Sequence, residues 1–302
     1  MYLMLWIFFA YAFLGWCTEV SFAALVSGKF VNRGFLNGPV CPIYGFGVVI
    51  VLAFLEPLRH NLLLLFLGSV LLTSALEWVT GFALEKIFHQ RWWDYSNEPF
   101  NLGGYICLRF SIAWGLACLF VVKILHPSIL LAIRLIPKPV GIALLVILSL
   151  IMAVDLVATV RTIAKINRSL GQIDELAAKI KSASNEFGEN LADKVLDVAE
   201  KSADFREELA DRSEDFRENL ADLKEDLTDH WEERQMDQAI RRAERQESLE
   251  ELRRRLSEVM DQSFFGQRRL LSAFPQMRSL DHKQALEQLR RRMEQLREER
   301  KR

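Results

Sequence analysis

The chain of 302 residues carries 38 Lys and Arg against 39 Asp and Glu, and 51% of its side chains are hydrophobic. That balance gives no basis for a nucleic-acid binder, and it hides a division near residue 163. Upstream stand 10 basic and 7 acidic residues, downstream 28 and 32, so the first part is written for lipid and the second for water.

A bilayer core of about 30 Å takes roughly 20 apolar residues per helix. Five segments meet or approach that length: 2–26, 40–56, 61–85, 104–123 and 139–161. The first has no basic residue ahead of it and holds Glu19, which argues for a span and against a cleaved signal peptide. The second opens on "GPVCPIYGFG", rich in helix breakers that membranes tolerate only where protein or water satisfies the freed backbone. Between the fourth and fifth, "HPSILLAIRLIP" (126–137) is apolar but too short to cross and reads as a short interfacial helix. Cys17, Cys41, Cys107 and Cys118 sit in or beside apolar runs without metal-ligand or disulfide spacing. Seven Lys and Arg on one set of loops against four on the other predict an outside N-terminus and a cytoplasmic C-terminus, in a multi-pass cell-membrane protein.

From residue 164 the pattern becomes helical and polar. Phe205, Phe216 and Leu227 recur every 11 residues, a period suited to a nearly straight coiled coil. The arm 186–237 is acidic and the arm 238–302 basic. Ile240, Ala243, Leu249, Leu252, Leu256 and Val259 form an apolar seam, continued by Leu286, Leu289, Met293 and Leu296. The two arms could pair within or between chains. The intervening "SFFGQRRLLSAFPQMRS" (263–279) reads equally as a segment returning to the membrane surface or the loops and as a packed helix-turn-helix. The fold class is therefore all-α: a polytopic membrane bundle over 1–163, then a charged helical coiled-coil tail over 164–302.

Ionisable groups inside spans are costly and mark sites by default. Glu19, Glu77, Arg109 and Asp155 all fall roughly 8 to 12 Å from the cytoplasmic ends of their helices at 1.5 Å per residue, which predicts one polar layer. Ala12, Gly15, Glu19 and Ala23 form a small-residue strip on the first helix. Thr73, Ser74, Glu77, Thr80, Gly81 and Glu85 form a polar strip on the third, and the two strips are expected to meet. Arg109 is the expected counter-ion of Glu77 or Glu19.

The stretch "RWWDYSNEPFNLGGY" (91–105) has aromatics suited to a membrane interface, with Pro99 and the Gly103-Gly104 pair marking a folded-back loop. The cytoplasmic-face candidates are Asn32, Arg33, Asn37, Glu85, Arg91, Trp92, Trp93, Asp94, Tyr95 and Asn101. No P-loop, HExxH or GxSxG motif occurs, so no cofactor, metal or nucleotide site of its own is expected.

"NRGFLNGPVCPIYGFG" (32–47), "ALEWVTGFALEKIFHQRWWDYSNEPFNLGGYICLRFSIAWG" (75–115) and "RRLLSAFP" (268–275) resemble the bacterial CmpB-type family of putative ABC-transporter type IV permeases. The resemblance covers most of residues 1–160 and implies a membrane-integral, permease-like transport component; with no nucleotide-hydrolysing motif in the sequence, active transport would draw its energy from a partner, such as an ATPase, or from an ion gradient. Two other readings stand beside it. One is a membrane-anchored scaffold that recruits partners through its tail, or forms a homo-oligomer through it. The other is an intramembrane enzyme acting on lipid head groups through Glu77, Glu85, His89, Arg91 and Asp94.

Overall fold

The computed structural model describes residues 1–211, 241, 243–262 and 264–299. Two compact units result, one formed by Met1–Leu170 together with Ser263–Arg302, the other by Gly171–Gln262. The division differs from a boundary at 163, because the last part of the chain belongs with the bundle.

Helix α1 (Tyr2–Ser27) ends on Gly28 in the left-handed conformation, whose N–H reaches the Ala24 carbonyl. Helix α2 (Pro42–Leu55) runs into a 3-10 turn over Glu56–Leu58. Helix α3 (Leu62–Phe88) is capped by the Asn61 side chain, which accepts from the Leu63 and Leu64 amides. At its other end His89 takes a positive φ and donates its N–H to Glu85. Then come β1 (Gln90–Arg91), the β2–β3 hairpin (Asn101–Leu102, Ile106–Cys107) and α4 (Leu108–Phe120). A π turn over Val121–Leu125 joins α4 to α5 (His126–Arg134) without a break. Helix α6 extends from Lys138 to Asp211. In the second unit a helix α7 covers 243–261. The chain returns to the first unit with α8 (Gln267–Ala273), β4 (Arg278–Ser279) and α9 (Lys283–Glu299).

Among the described residues four helices are long and apolar enough to cross a membrane: Tyr2–Ser27, Leu62–Phe88, Leu108–Arg134 and the apolar part of α6. The fifth expected span is shorter, an apolar helix over Pro42–Leu58 of about 25 Å at 1.5 Å per residue. The expected separate helix at 126–137 is instead the continuation of α4. Pro127 lacks the N–H that would bond the Lys123 carbonyl four residues back, and its ring crowds that carbonyl. Widening to a π turn over Val121–Leu125 absorbs the defect where a break was expected.

The bundle packs through three clusters. Ile7, Tyr11, Leu52 and Ile133 join α1, α2 and α5; Phe8, Phe9 and Leu145 join α1 to α6; Val51, Leu55 and Leu65 join α2 to α3. Outward positions such as Leu71 and Val154 stay 70% exposed or more, as helices facing acyl chains require. The small-residue strip of α1 takes α2 as its partner, since Gly15 lies under the Tyr44 ring and Gly45 under the Phe8 carbonyl and ring. The polar strip of α3 turns to α4 and the following loop, with Ser74 donating to Ser111 at 2.7 Å and Gly81 against Tyr105 and Trp93. The expected contact between the two strips is thus replaced by two separate ones, because α2 needs the glycines of α1 for close approach.

In the second unit, Lys179–Glu175 at 2.6 Å and Arg254–Glu258 at 3.8 Å are ion pairs four residues apart on exposed helix faces. Along α7, Leu249, Leu252, Leu256 and Val259 are half-buried. The 11-residue repeat beyond Asp211, the second half of the acidic arm (212–237), and hence the pairing of the two arms, lie outside the described residues.

A methyl group at Gly15 would come within 2.3 Å of the Tyr44 ring. Gly15→Val should therefore separate α1 from α2 and cost about 1–3 kcal/mol, read as a lower unfolding temperature of the detergent-purified protein. Gly47→Ala, where a Cβ would meet nothing within 4 Å, should leave it unchanged.

Candidate functional site

The segment after α1 does not return to α2 across the surface. The Cys41 amide donates to the Ala12 carbonyl at 2.8 Å, and Ala12 lies about 22 Å before the end of α1. Residues 29–41 therefore descend beside the second half of α1, and their peptide groups must be satisfied by protein. Asn32 begins this, since its Oδ1 accepts from Trp16 Nε1 at 2.8 Å and from the Gly34 amide at 3.1 Å, while its Nδ2 donates to the Asn37 carbonyl at 2.8 Å. Asp155 of α6 takes the next turn, accepting from the Asn37 amide at 3.0 Å, Asn37 Nδ2 at 2.7 Å and the Gly38 amide at 2.7 Å.

Arg269 of α8 closes the other side. Its guanidinium donates to the Gly34 carbonyl at 2.6 Å, the Phe35 carbonyl at 3.0 Å and Asn37 Oδ1 at 2.9 Å. Burial pushes this guanidinium below its ordinary range, while the nearby Asp155 charge pulls it back up. Leu36, fully buried, sits inside this clamp. The glycine before α8, Gly266, has φ 81° and brings the backbone against Thr162 and Asn37, a conformation and a closeness that a side chain would oppose.

Residues 264–299 also cap the second loop. Strand β4 pairs antiparallel with β1, Gln90 opposite Ser279 and Arg91 opposite Arg278, and the Leu280 amide donates to the His89 carbonyl at 3.1 Å. Trp92, 4% exposed, meets the rings of Phe35, Phe88 and Phe274. Trp92 is therefore the core of the contact between loops and cap, not a lipid anchor as its position predicted. Trp93 donates from Nε1 to the Tyr105 carbonyl at 2.9 Å. Asn101 folds the loop, donating to the Ser96 and Glu98 carbonyls and accepting from the Gly104 amide. Arg91 binds Glu85 at 2.8 Å and lies over the Tyr105 ring. On α9, Leu286 and Leu289 are buried with Ala285.

Asp94 accepts from the Ser96 amide and hydroxyl and pairs with Arg278 at 2.7 Å and Arg91 at 3.7 Å. Burial raises its carboxyl, but the Ser96 bonds and the two guanidiniums outweigh that and hold it below the usual carboxylate range. His89 pairs with Asp281 at 3.2 Å. Of the residues expected of a head-group enzyme, Glu85, Arg91 and Asp94 are joined through Arg91, whereas Glu77 bonds Tyr95 and His89 pairs with Asp281. Among the described residues no group of three or more His, Cys, Asp or Glu could hold a metal ion.

Deeper in the bundle, the expected single layer resolves into separate parts. Glu19 accepts from the Tyr44 hydroxyl at 2.6 Å and faces Arg33 Nε at 3.4 Å, and Arg33 also lies over the Phe22 ring. Glu77 accepts from the Tyr95 hydroxyl at 3.3 Å, and its other oxygen, Oε2, is buried without a hydrogen bond. Tyr95 lies within electrostatic reach of both Glu77 and Glu19. Among the described residues Arg109 pairs with neither: it is exposed and lies over the Phe110 ring, 5.8 Å away, while Tyr95 stacks on that same ring. An aromatic neighbour takes the role expected of a cation.

With that geometry in view, the family model for putative ABC-transporter type IV proteins matches residues 6–160, just over half of the chain. The chain belongs to this family. No curated protein and no solved structure matches it. The matched stretch holds α1 to α4 with the Asp155 end of α6 and both loops, while α8 and Arg269 lie outside it. Membership supports a membrane protein related to transport, seated in a lipid bilayer.

The segment 263–279 docks on the loops, one of the readings its sequence allows, through Arg269. Tyr44 is the member of the site that carries no signal in the sequence, as one ring in a helix rich in breakers.

Arg269→Ala would leave two carbonyls and Asn37 Oδ1 without donors, at roughly 1–3 kcal/mol for each group left unsatisfied. Hydrogen exchange of the detergent-purified chain should then quicken together in 28–41 and 264–299, while Arg268→Ala, an exposed neighbour, should change neither. Because Asp94 is held low when folded, its contribution is present above the ordinary carboxylate range of about 4 and is lost as pH falls through the lower folded value. Acidification should therefore loosen 278–282 before the helices melt, and Arg278→Ala should move that loosening to higher pH.

Proposed function

We propose that the protein is the membrane-embedded, permease-like component of a transporter, with the two loops, the cap and the tail on the cytoplasmic side and no ATPase of its own. One observation carries this reading. The loop-side half of the bundle holds two carboxylates, Glu19 and Glu77, each bonded to a tyrosine from a neighbouring segment. A purely structural bundle has no need to bury a carboxylate oxygen without a donor, since an apolar residue of similar volume would cost less. The loops over this region are closed by the chain's own residues 264–299, which leaves the cap as the surface on which an energising partner would act.

A second reading, a membrane-anchored scaffold, draws on the continuation of α6 as helix to Asp211 and on the exposed ion pairs of the second unit. Crosslinking the full-length chain in its native membranes and isolating it decides between them. The transport reading expects a nucleotide-hydrolysing subunit in near-stoichiometric yield, retained when 171–262 is shortened within its helix. Recovery only of partners without nucleotide binding, all lost on that shortening, would overturn it in favour of the scaffold.

A further inference from the structure

The carboxyl of Glu77 has an environment unlike that of every other described acid in the bundle. Its helix, α3, supplies no donor to it; its only hydrogen bond is from Tyr95, and Oε2 is buried with none. The charged and titratable groups around it are otherwise committed. Glu85 is bound to Arg91 one polar layer further along α3. Glu19 of α1 is bound to Tyr44 and Arg33. Arg109 of α4 is turned to Phe110. Cys107 of β3 acts on Tyr95, as one of the groups that raise its phenol. Among the described residues, none of these cations forms an ion pair with Glu77.

A buried carboxylate in this position would carry an unpaired charge at membrane depth with a single neutral donor, a cost that proteins avoid by keeping the proton. The geometry points to Glu77 as a proton-binding site of the bundle. The proton sits on Oε2, the oxygen with no donor to meet it, and the Tyr95 hydroxyl donates to Oε1. Burial by itself raises the Tyr95 phenol above its ordinary range, so Tyr95 stays protonated and serves as a fixed donor. On release the proton leaves Oε2, and the carboxylate keeps only the Tyr95 bond. The deprotonated form therefore persists only if water or a cation enters beside it, which couples the proton to an opening of the loop side. The site deepens the transport reading by naming an ion, and rests on that reading only for the use made of the proton.

Infrared spectroscopy of the full-length chain in lipid nanodiscs tests the site without any transported substrate or ATPase. At neutral pH a protonated carboxyl C=O band is expected that Glu77→Gln removes. Tyr95→Phe keeps the ring on Phe110 but deletes the hydroxyl, and should move the same band to higher frequency, as loss of a hydrogen bond to the carbonyl oxygen requires. The Tyr95→Phe arm stands alone if the Gln variant fails to fold. Absence of the band at neutral pH, or a band indifferent to both substitutions, overturns the proton site. Either result leaves the crosslinking outcome for the permease reading untouched, so the two can fail separately.

Discussion

The protein depends on one constraint: a stretch of irregular backbone, residues 29–41, lies alongside α1, and its buried peptide groups are satisfied by protein. Each buried amide or carbonyl left open there costs on the order of 1–3 kcal/mol, so the segment exists only because donors and acceptors are brought to it. Asn32 supplies them from within, Trp16 from α1, Asp155 from α6 and Arg269 from α8. The depth of α2 follows directly. Once Cys41 is held at Ala12, α2 must start halfway along α1, and Gly15 and Gly45 give Tyr44 and Phe8 the room that this start demands.

The same constraint explains why the end of the chain belongs to the bundle. Arg269 bonds groups 232 to 235 residues earlier in the sequence. Strand β4 adds a ladder to β1, and Phe274 fills the last side of Trp92. The loop side of the bundle cannot reach its final form until these residues have been synthesised and docked, which makes closure a strongly non-local contact. A contact made late, through a few polar bonds and one aromatic cluster, is also one that a partner could exchange.

The long helices were legible because the membrane imposes a length and an apolar composition that composition alone reveals, and the intramembrane carboxylates were legible for the same reason. Their partners were not. Spacing placed Glu19, Glu77, Arg109 and Asp155 at one depth, yet depth says nothing about azimuth around the bundle. In the structure Asp155 holds the 29–41 segment, Glu19 bonds Tyr44 of α2 and pairs with Arg33, Glu77 bonds Tyr95, and Arg109 faces Phe110. The expected charge pairing with Arg109 is replaced by tyrosine hydroxyls from α2 and the 91–105 loop, with Arg33 as the counter-ion of Glu19 alone. A hydroxyl on a ring carries no signal in a hydropathy pattern. Pro127 misled in the opposite sense, since a residue that ends helices in water is absorbed by a π turn where neighbouring helices hold both sides.

Asp155 and Glu77 show how one residue class divides its work by surroundings. Asp155 accepts from two backbone amides and a side-chain amide, with Thr159 a further 3.4 Å away, and a guanidinium lies just across Asn37. Its oxygens are filled, so it acts as a fixed brace for the re-entrant loop. Glu77 has one neutral donor and one empty oxygen, an arrangement that braces nothing and leaves a valence to be filled by a small, mobile species. The two acids lie about 23 to 26 Å from the opposite ends of their helices at 1.5 Å per residue. The difference between them therefore does not come from depth in the membrane. It comes from where the donors lie, three amide N–H groups around Asp155 and a single tyrosine hydroxyl at Glu77.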